Sequence, residues 1–252
     1  MKLIYPIIFA LLSSTGYAQE LTTQDKESLT NFIEAVKSKD FKKLMPHISF
    51  PIKREYPLPD IKNEVEFIYR YTELFDDSIT KVIANSNIDK DWSRVGWRGF
   101  MLNNGDIWIQ EVDYKLTAVN LQSKVEREKR AAIIKYDKAT LHPSINEYEY
   151  PVIALKTGKY YIRIDEMQNE VYRAAVWPVN EFTNAKPEFI VLDGKLEYMG
   201  SGGNHQYVFE NGELVYKCQI NILGTSETPP ANLLVEKNGA EIMFTPAEII
   251  RN

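Results

Sequence analysis

Helical spacing before residue 75, strict alternation after residue 150 and a charge-dense stretch between them predict an α+β chain in two parts. The first part is helices packed on a curled antiparallel sheet. The second is an all-β antiparallel meander, a sandwich or small barrel. The expected division is a signal peptide over residues 1–18, an α+β domain over 19–120, a connecting helix and linker over 121–148, and an antiparallel β domain over 149–252.

Lys2 supplies the positive start of an export signal, Leu3 to Leu12 its apolar stretch, and Gly16-Tyr17-Ala18 a small-x-small cleavage site. The mature chain is therefore expected to begin at Gln19, in the periplasm or outside the cell. A membrane-spanning helix needs roughly 20 apolar residues, and this stretch is interrupted by Ser13-Ser14-Thr15-Gly16. No cysteine follows it, so a lipid anchor is not expected.

From Thr22 the pattern is helical, with Thr23 as a possible cap and Leu29, Phe32, Ile33 and Val36 on one face. Asp40 opens a shorter helical piece through Phe41, Leu44 and Met45, ended by Pro46. Ile48 to Tyr56 alternates weakly around Pro51, as an edge or bulged strand does. A third helix is expected from about Asp60 to Phe75, with Ile61, Val65, Ile68, Tyr69 and Leu74 as its apolar side. Phe100-Met101-Leu102 and Ile107-Trp108-Ile109 flank Asn103-Asn104-Gly105-Asp106, a hairpin signal because Asn and Gly tolerate positive φ. Lys124 to Arg130 places opposite charges at i,i+4, which reads as a solvated connecting helix stopped by His142-Pro143. Beyond Tyr150 eight or nine short strands follow, with Thr157-Gly158, Asp193-Gly194, Asn211-Gly212 and Asn238-Gly239 as the turns between neighbours.

Several function classes are excluded or left without support. Loss of Lys2 with the signal leaves 29 basic against 35 acidic side chains, a formal charge of −6, which argues against nucleic-acid binding. A single cysteine forbids an intrachain disulfide, and alternation places Cys218 inward with Leu214, Tyr216 and Ile220, where a thiol is inert. His47, His142 and His205 lie far apart without metal-ligand spacing, so no metal and no cofactor are expected. Ser201 lacks the strand-to-helix setting of a nucleophile, and the surrounding glycines lack the Lys-Ser/Thr of a phosphate loop.

Two clusters remain as candidate sites. In the first domain Asp91, Trp92, Trp97, Asp106 and Trp108, with Tyr56 and His47 near, can line the mouth of the curled sheet. There Asp91 or Asp106 with His47 are the catalytic candidates, on condition that burial shifts a carboxylate toward neutrality. In the second domain Tyr161, Arg163, Asp165, Arg173 and Trp177 share the face opposite Ile162 and Ile164. That face is expected to be wet, with Arg163/Asp165 or Arg173/Asp165 as a structural ion pair. With Asn204, His205 and Tyr207 it forms an aromatic and basic surface suited to a glycan or an acidic partner.

Phe32-Ile33-x-Ala35-Val36, Lys39 to Leu44, Ile48 to Ile52 and the hairpin of Phe100 to Ile109 resemble exported bacterial proteins with a cystatin-like cone. The shape is that of the nuclear-transport-factor-2-like superfamily, and the likeness covers about residues 25–118. It implies either an enzyme with an Asp/His pair in the cone or a binding or assembly module. Lys186 to Phe189, Gly200 to Asn204 and Tyr207-x-Phe209-x-Asn211-Gly212 resemble a β-domain of uncharacterised exported proteins of Gram-negative bacteria. The Gly200–Tyr207 loop is also similar to the Ser-Gly-x-x-Tyr loop of c-type lysozyme inhibitors.

The sequence thus predicts an exported, non-catalytic module that binds a small ligand, a glycan or an envelope protein. A small hydrolase or isomerase acting in the cone is one alternative. Glycan or lysozyme-type partner binding through the Gly200–Tyr207 loop is another. Mass spectrometry of the exported protein should find Gln19 as the first residue. Recovery of an exported chain that still carries Met1 would refute cleavage at Ala18.

Overall fold

A computed structural model of the chain describes residues 20–200 and 202–250; the expected leader with its Ala18 cleavage site, and Ser201, lie outside the described residues. The helices are α1 (Thr23–Ser38), α2 (Phe41–Leu44), α3 (Glu64–Leu74), α4 (Asp77–Ala84), α5 (Ile88–Asp91) and α6 (Lys124–Thr140). The strands are β1 (Trp92–Arg94), β2 (Phe100–Leu102), β3 (Ile107–Ile109), β4 (Leu116–Val119), β5 (Tyr150–Lys156) and β6 (Tyr160–Glu166). They continue as β7 (Tyr172–Pro178), β8 (Phe189–Tyr198), β9 (His205–Asn211), β10 (Leu214–Ile220), β11 (Ala231–Lys237) and β12 (Ala240–Ile250). Among the described residues no helix is long and apolar enough to cross a membrane.

The chain forms two compact units, and it moves between them more than once. Described residues up to Ser49 join Asp77–Leu121 in one, while Phe50–Asp76 join the chain from Gln122 onward in the other. The stretch that holds α3 therefore groups with the β-rich half and not with the helices that flank it in sequence.

In the first unit α1 starts on a capping box. Thr22, not Thr23, caps the helix: its hydroxyl accepts from Asp25 N at 3.2 Å, and Asp25 Oδ2 accepts from Thr22 N at 2.8 Å. Leu29, Phe32, Ile33 and Val36 are buried, as their spacing requires. The sheet runs β1-β2-β3-β4, antiparallel throughout, with the expected hairpin between β2 and β3 pairing Leu102 with Ile107.

The second unit is built around a closed antiparallel barrel in the order β10-β11-β12-β5-β6-β7-β8-β9. The sandwich alternative is thereby corrected, and so is the reading of Asp193-Gly194 as a turn between two strands. Both residues lie inside β8, whose first half pairs with β7 and second half with β9. Tyr172 faces Gly194 while Ala174 faces Val191, so one extra residue of β8 bulges there, with Asp193 at φ 59°. A bulge bends a strand and raises its twist, which lets one strand serve both halves of a ring. β12 does the same on the far side, pairing with β11 and then, through Glu248 to Ile250, with β5.

The wet face expected on β6 and β7 is instead buried beneath the end of α6 and residues 141–148. Trp177 and Ala175 pack there with Leu141, Ile145 and Tyr148. Arg163, Asp165 and Arg173 are buried with them. Asp165 accepts from Arg163 Nε at 2.7 Å and from Arg173 Nη2 at 2.6 Å. Asp137 of α6 accepts from the other end of Arg163 at 3.0 and 2.6 Å. Arg173 also donates to the carbonyls of Ile145 and Glu147. Buried charges survive only when paired and hydrogen-bonded in this way.

Nor is α6 a solvated connector along its whole length. Glu126 is fully buried and takes both ends of the Arg54 fork, while Arg130, its expected i+4 partner, pairs with Glu55. Lys124 and Glu128 do pair on the exposed side, at 3.7 Å. In α3 the buried face is Phe67, Tyr71 and Leu74, whereas Val65 and Tyr69 of the expected apolar side are 78% and 88% exposed. Phe67 meets Phe50, Tyr71 and Phe75, an aromatic cluster that outweighs the smaller Val65 stripe.

Gly194 is small for a packing reason. A Cβ built there would lie 2.2 Å from the ring of the fully buried Phe209. Gly194→Ala should lower stability in urea unfolding by about 1–3 kcal/mol, and adding Phe209→Leu should recover part of the loss. An alanine variant as stable as the parent would mean that the ring does not approach the strand.

Candidate functional site

Alternate residues of all eight barrel strands point inward, and the two ends of the interior are filled differently. At one end Tyr172 and Tyr207 meet edge to face at 5.0 Å, and Ile164, Leu196, Ile220 and Ile249 complete the packing. Toward the other end, where the turns after β5, β9 and β11 lie, the inward residues are shorter. Ala174, Val176, Val191, Cys218 and Val235 leave a cavity of about 220 Å³. Its outer wall is Tyr160, Phe189, Leu214, Tyr216, Ile242 and Met243.

Two successive residues of β12 line this cavity, which an unbroken strand forbids because neighbours point to opposite faces. The explanation is a second bulge. Val235 faces Met243 and Glu236 faces Glu241, leaving Ile242 as the extra residue, and it turns to the rim at 58% exposure. No charged side chain is among the lining residues. The Cys218 thiol, inward as its alternation requires, is pushed up to about 12 by burial.

The residues singled out from the sequence fall in three places. Asp91, Trp92, Trp97, Asp106, Trp108 and His47 are in the first unit, but Tyr56 belongs to the second, so the expected cluster is divided. Asp91 accepts from Asn87 N at 2.7 Å and Asp106 from Asn103 Nδ2 at 2.7 Å, each holding its own turn. Trp92 is buried and donates to Ser86 Oγ at 3.0 Å, Trp97 is 71% exposed, and Trp108 is half-buried. His47 faces the Phe32 ring and the Tyr114 carbonyl, and burial pushes its imidazole below the usual range.

Tyr56 is half-buried near Tyr161 and Arg163, and burial raises its phenol. Arg163, Arg173 and Trp177 belong to the buried outer face already described, where Trp177 Nε1 donates to Ala185 O at 2.9 Å. In the loop before β9, Asn204 accepts from the amides of Ile222 and Leu223 and so ties two loops together. His205 is held against the Gly203 carbonyl at 2.9 Å, and Tyr207 is inside the barrel rather than on its surface. Among the described residues no cluster of His, Cys, Asp and Glu is arranged to hold a metal ion.

Compared with protein-family models, curated proteins and solved structures, the chain matches none. The arrangement itself has one chemical capacity above the rest: it can shelter an apolar body from water. Sequence reasoning missed this cavity because it is a volume, set by small residues on several strands at one height. The only local sign was the run of short inward side chains at Ala174, Val176 and Val191.

Cys218 is a reporter of the cavity wall. In the native protein it should react with a neutral methanethiosulfonate at least about 100-fold more slowly than in urea-unfolded chain, because the thiol is both covered and protonated. Equal rates would show that the wall is open at this point.

Proposed function

We propose that the protein is an exported, non-catalytic binding module whose barrel takes up a small apolar molecule. The observation that carries this reading is the apolar cavity of about 220 Å³ inside the closed eight-stranded barrel. Barrels of eight strands enclose space for side chains or for one small ligand. An apolar void of roughly 150 Å³ stays dry and admits benzene, so this one suits a body of one or two rings or an equivalent short chain. The proposal of export rests on the leader pattern of residues 1–18. We read the first unit as the cystatin-like cone that its helix α1 and four-stranded sheet suggest.

Naphthalene tests the reading directly. At roughly ten times its dissociation constant it should stabilise the protein by about 1.4 kcal/mol, a rise of a few degrees in Tm. Ala174→Leu, which fills the cavity, should abolish the shift while melting no lower than the parent. An unchanged Tm in a saturated naphthalene solution, or the same shift in both proteins, would sink the proposal.

A further inference from the structure

The rim of the same cavity carries two hydroxyl groups. Tyr160 opens β6 and Tyr216 lies on β10, and in the closed order three strands separate them on either side, so they stand across the barrel from each other. Both line the cavity and both are half-buried. Among the described residues no side chain or carbonyl bonds either hydroxyl, although Tyr216 packs its ring on Phe189 at 6.1 Å. Below them the wall is hydrocarbon apart from the Cys218 thiol. On the nearby turns Glu213 and Lys237 pair with each other at 3.5 Å.

From this juxtaposition we infer that the ligand is neutral and amphipathic, an apolar body with one hydroxyl or carbonyl group held between Tyr160 and Tyr216. The inference rests on the binding proposal above and adds the chemistry of the ligand's polar end. A phenol can donate or accept, so a neutral oxygen placed between two of them gains hydrogen bonds that a hydrocarbon lacks. A carboxylate at the same place gives up water with no cationic side chain in the cavity lining to meet it. Two tyrosines on opposite strands of an apolar cavity wall therefore select for a polar but uncharged head, with the rest of the molecule pointing down toward Cys218.

Three bicyclic probes of one size separate the possibilities at pH 7 by calorimetry: naphthalene, 2-naphthol and 2-naphthoate. 2-Naphthol should bind about fivefold more tightly than naphthalene, within the range of one net hydrogen bond, and at least about tenfold more tightly than 2-naphthoate. The double variant Tyr160→Phe, Tyr216→Phe keeps both rings and removes both hydroxyls, so it should erase the advantage of naphthol over naphthalene. Naphthoate binding as well as naphthol, or a naphthol advantage that survives both substitutions, overturns the inference while naphthalene binding stands. If naphthalene itself does not bind, the cavity reading fails and this one with it.

Discussion

Closure of the barrel is the constraint on which the second unit depends. Eight strands form a ring only because β8 and β12 each bend and pair on both sides. The bend in β8 requires a residue without a side chain where the Phe209 ring crosses, and Gly194 supplies it. Once the ring is closed, its interior volume is fixed by strand number and tilt, and side chains either fill it or leave space. Tyr172 and Tyr207 fill one end, and Ala174, Val176, Val191, Cys218 and Val235 leave space toward the other, so the cavity is a by-product of closure together with side-chain size.

The outer wall is organised by charge. α6 is held to β6 and β7 through Asp137, Arg163, Asp165 and Arg173, and to the 50–63 segment through Glu126 and Arg54. Such clusters add little net stability over an apolar replacement, but removing one member leaves a buried charge without a partner. Their effect is on geometry. Each guanidinium accepts only a narrow range of carboxylate positions, so the helix cannot slide along the barrel without breaking several bonds together.

Much of the local structure was legible in the residues. The stripe of Leu29, Phe32 and Val36, the hairpin at Asn103 to Asp106, and the inward side of Cys218 all follow from spacing of three or four residues or of two. What was not legible depends on partners far away in sequence. Asp193-Gly194 has the composition of a hairpin turn, and only Phe209 makes it a bulge. The Arg163 and Arg173 face looks wet until α6 covers it. In α3 the choice between the Val65 side and the Phe67 side was decided by Phe50 and Phe75, outside the helix. Periodicity places a side chain on a face, and tertiary packing then decides what that face meets.

The Arg54 to Glu126 pair has a consequence for how the chain can be divided. These residues are 72 apart in sequence, and the Asp77–Leu121 segment of the first unit is threaded between them. A fragment ended near residue 120, the obvious place to cut on composition alone, would carry α3 and Arg54 but lack the Glu126 carboxylate that takes both ends of the Arg54 fork. The complementary fragment would carry Glu126 without Arg54. A cut there separates the two partners of a buried ion pair, and the pair closes only through a contact of long sequence separation, the kind that slows a folding reaction. Two regions that look like separable modules along the chain share a buried charge pair, so a boundary drawn from composition cuts through one of the units.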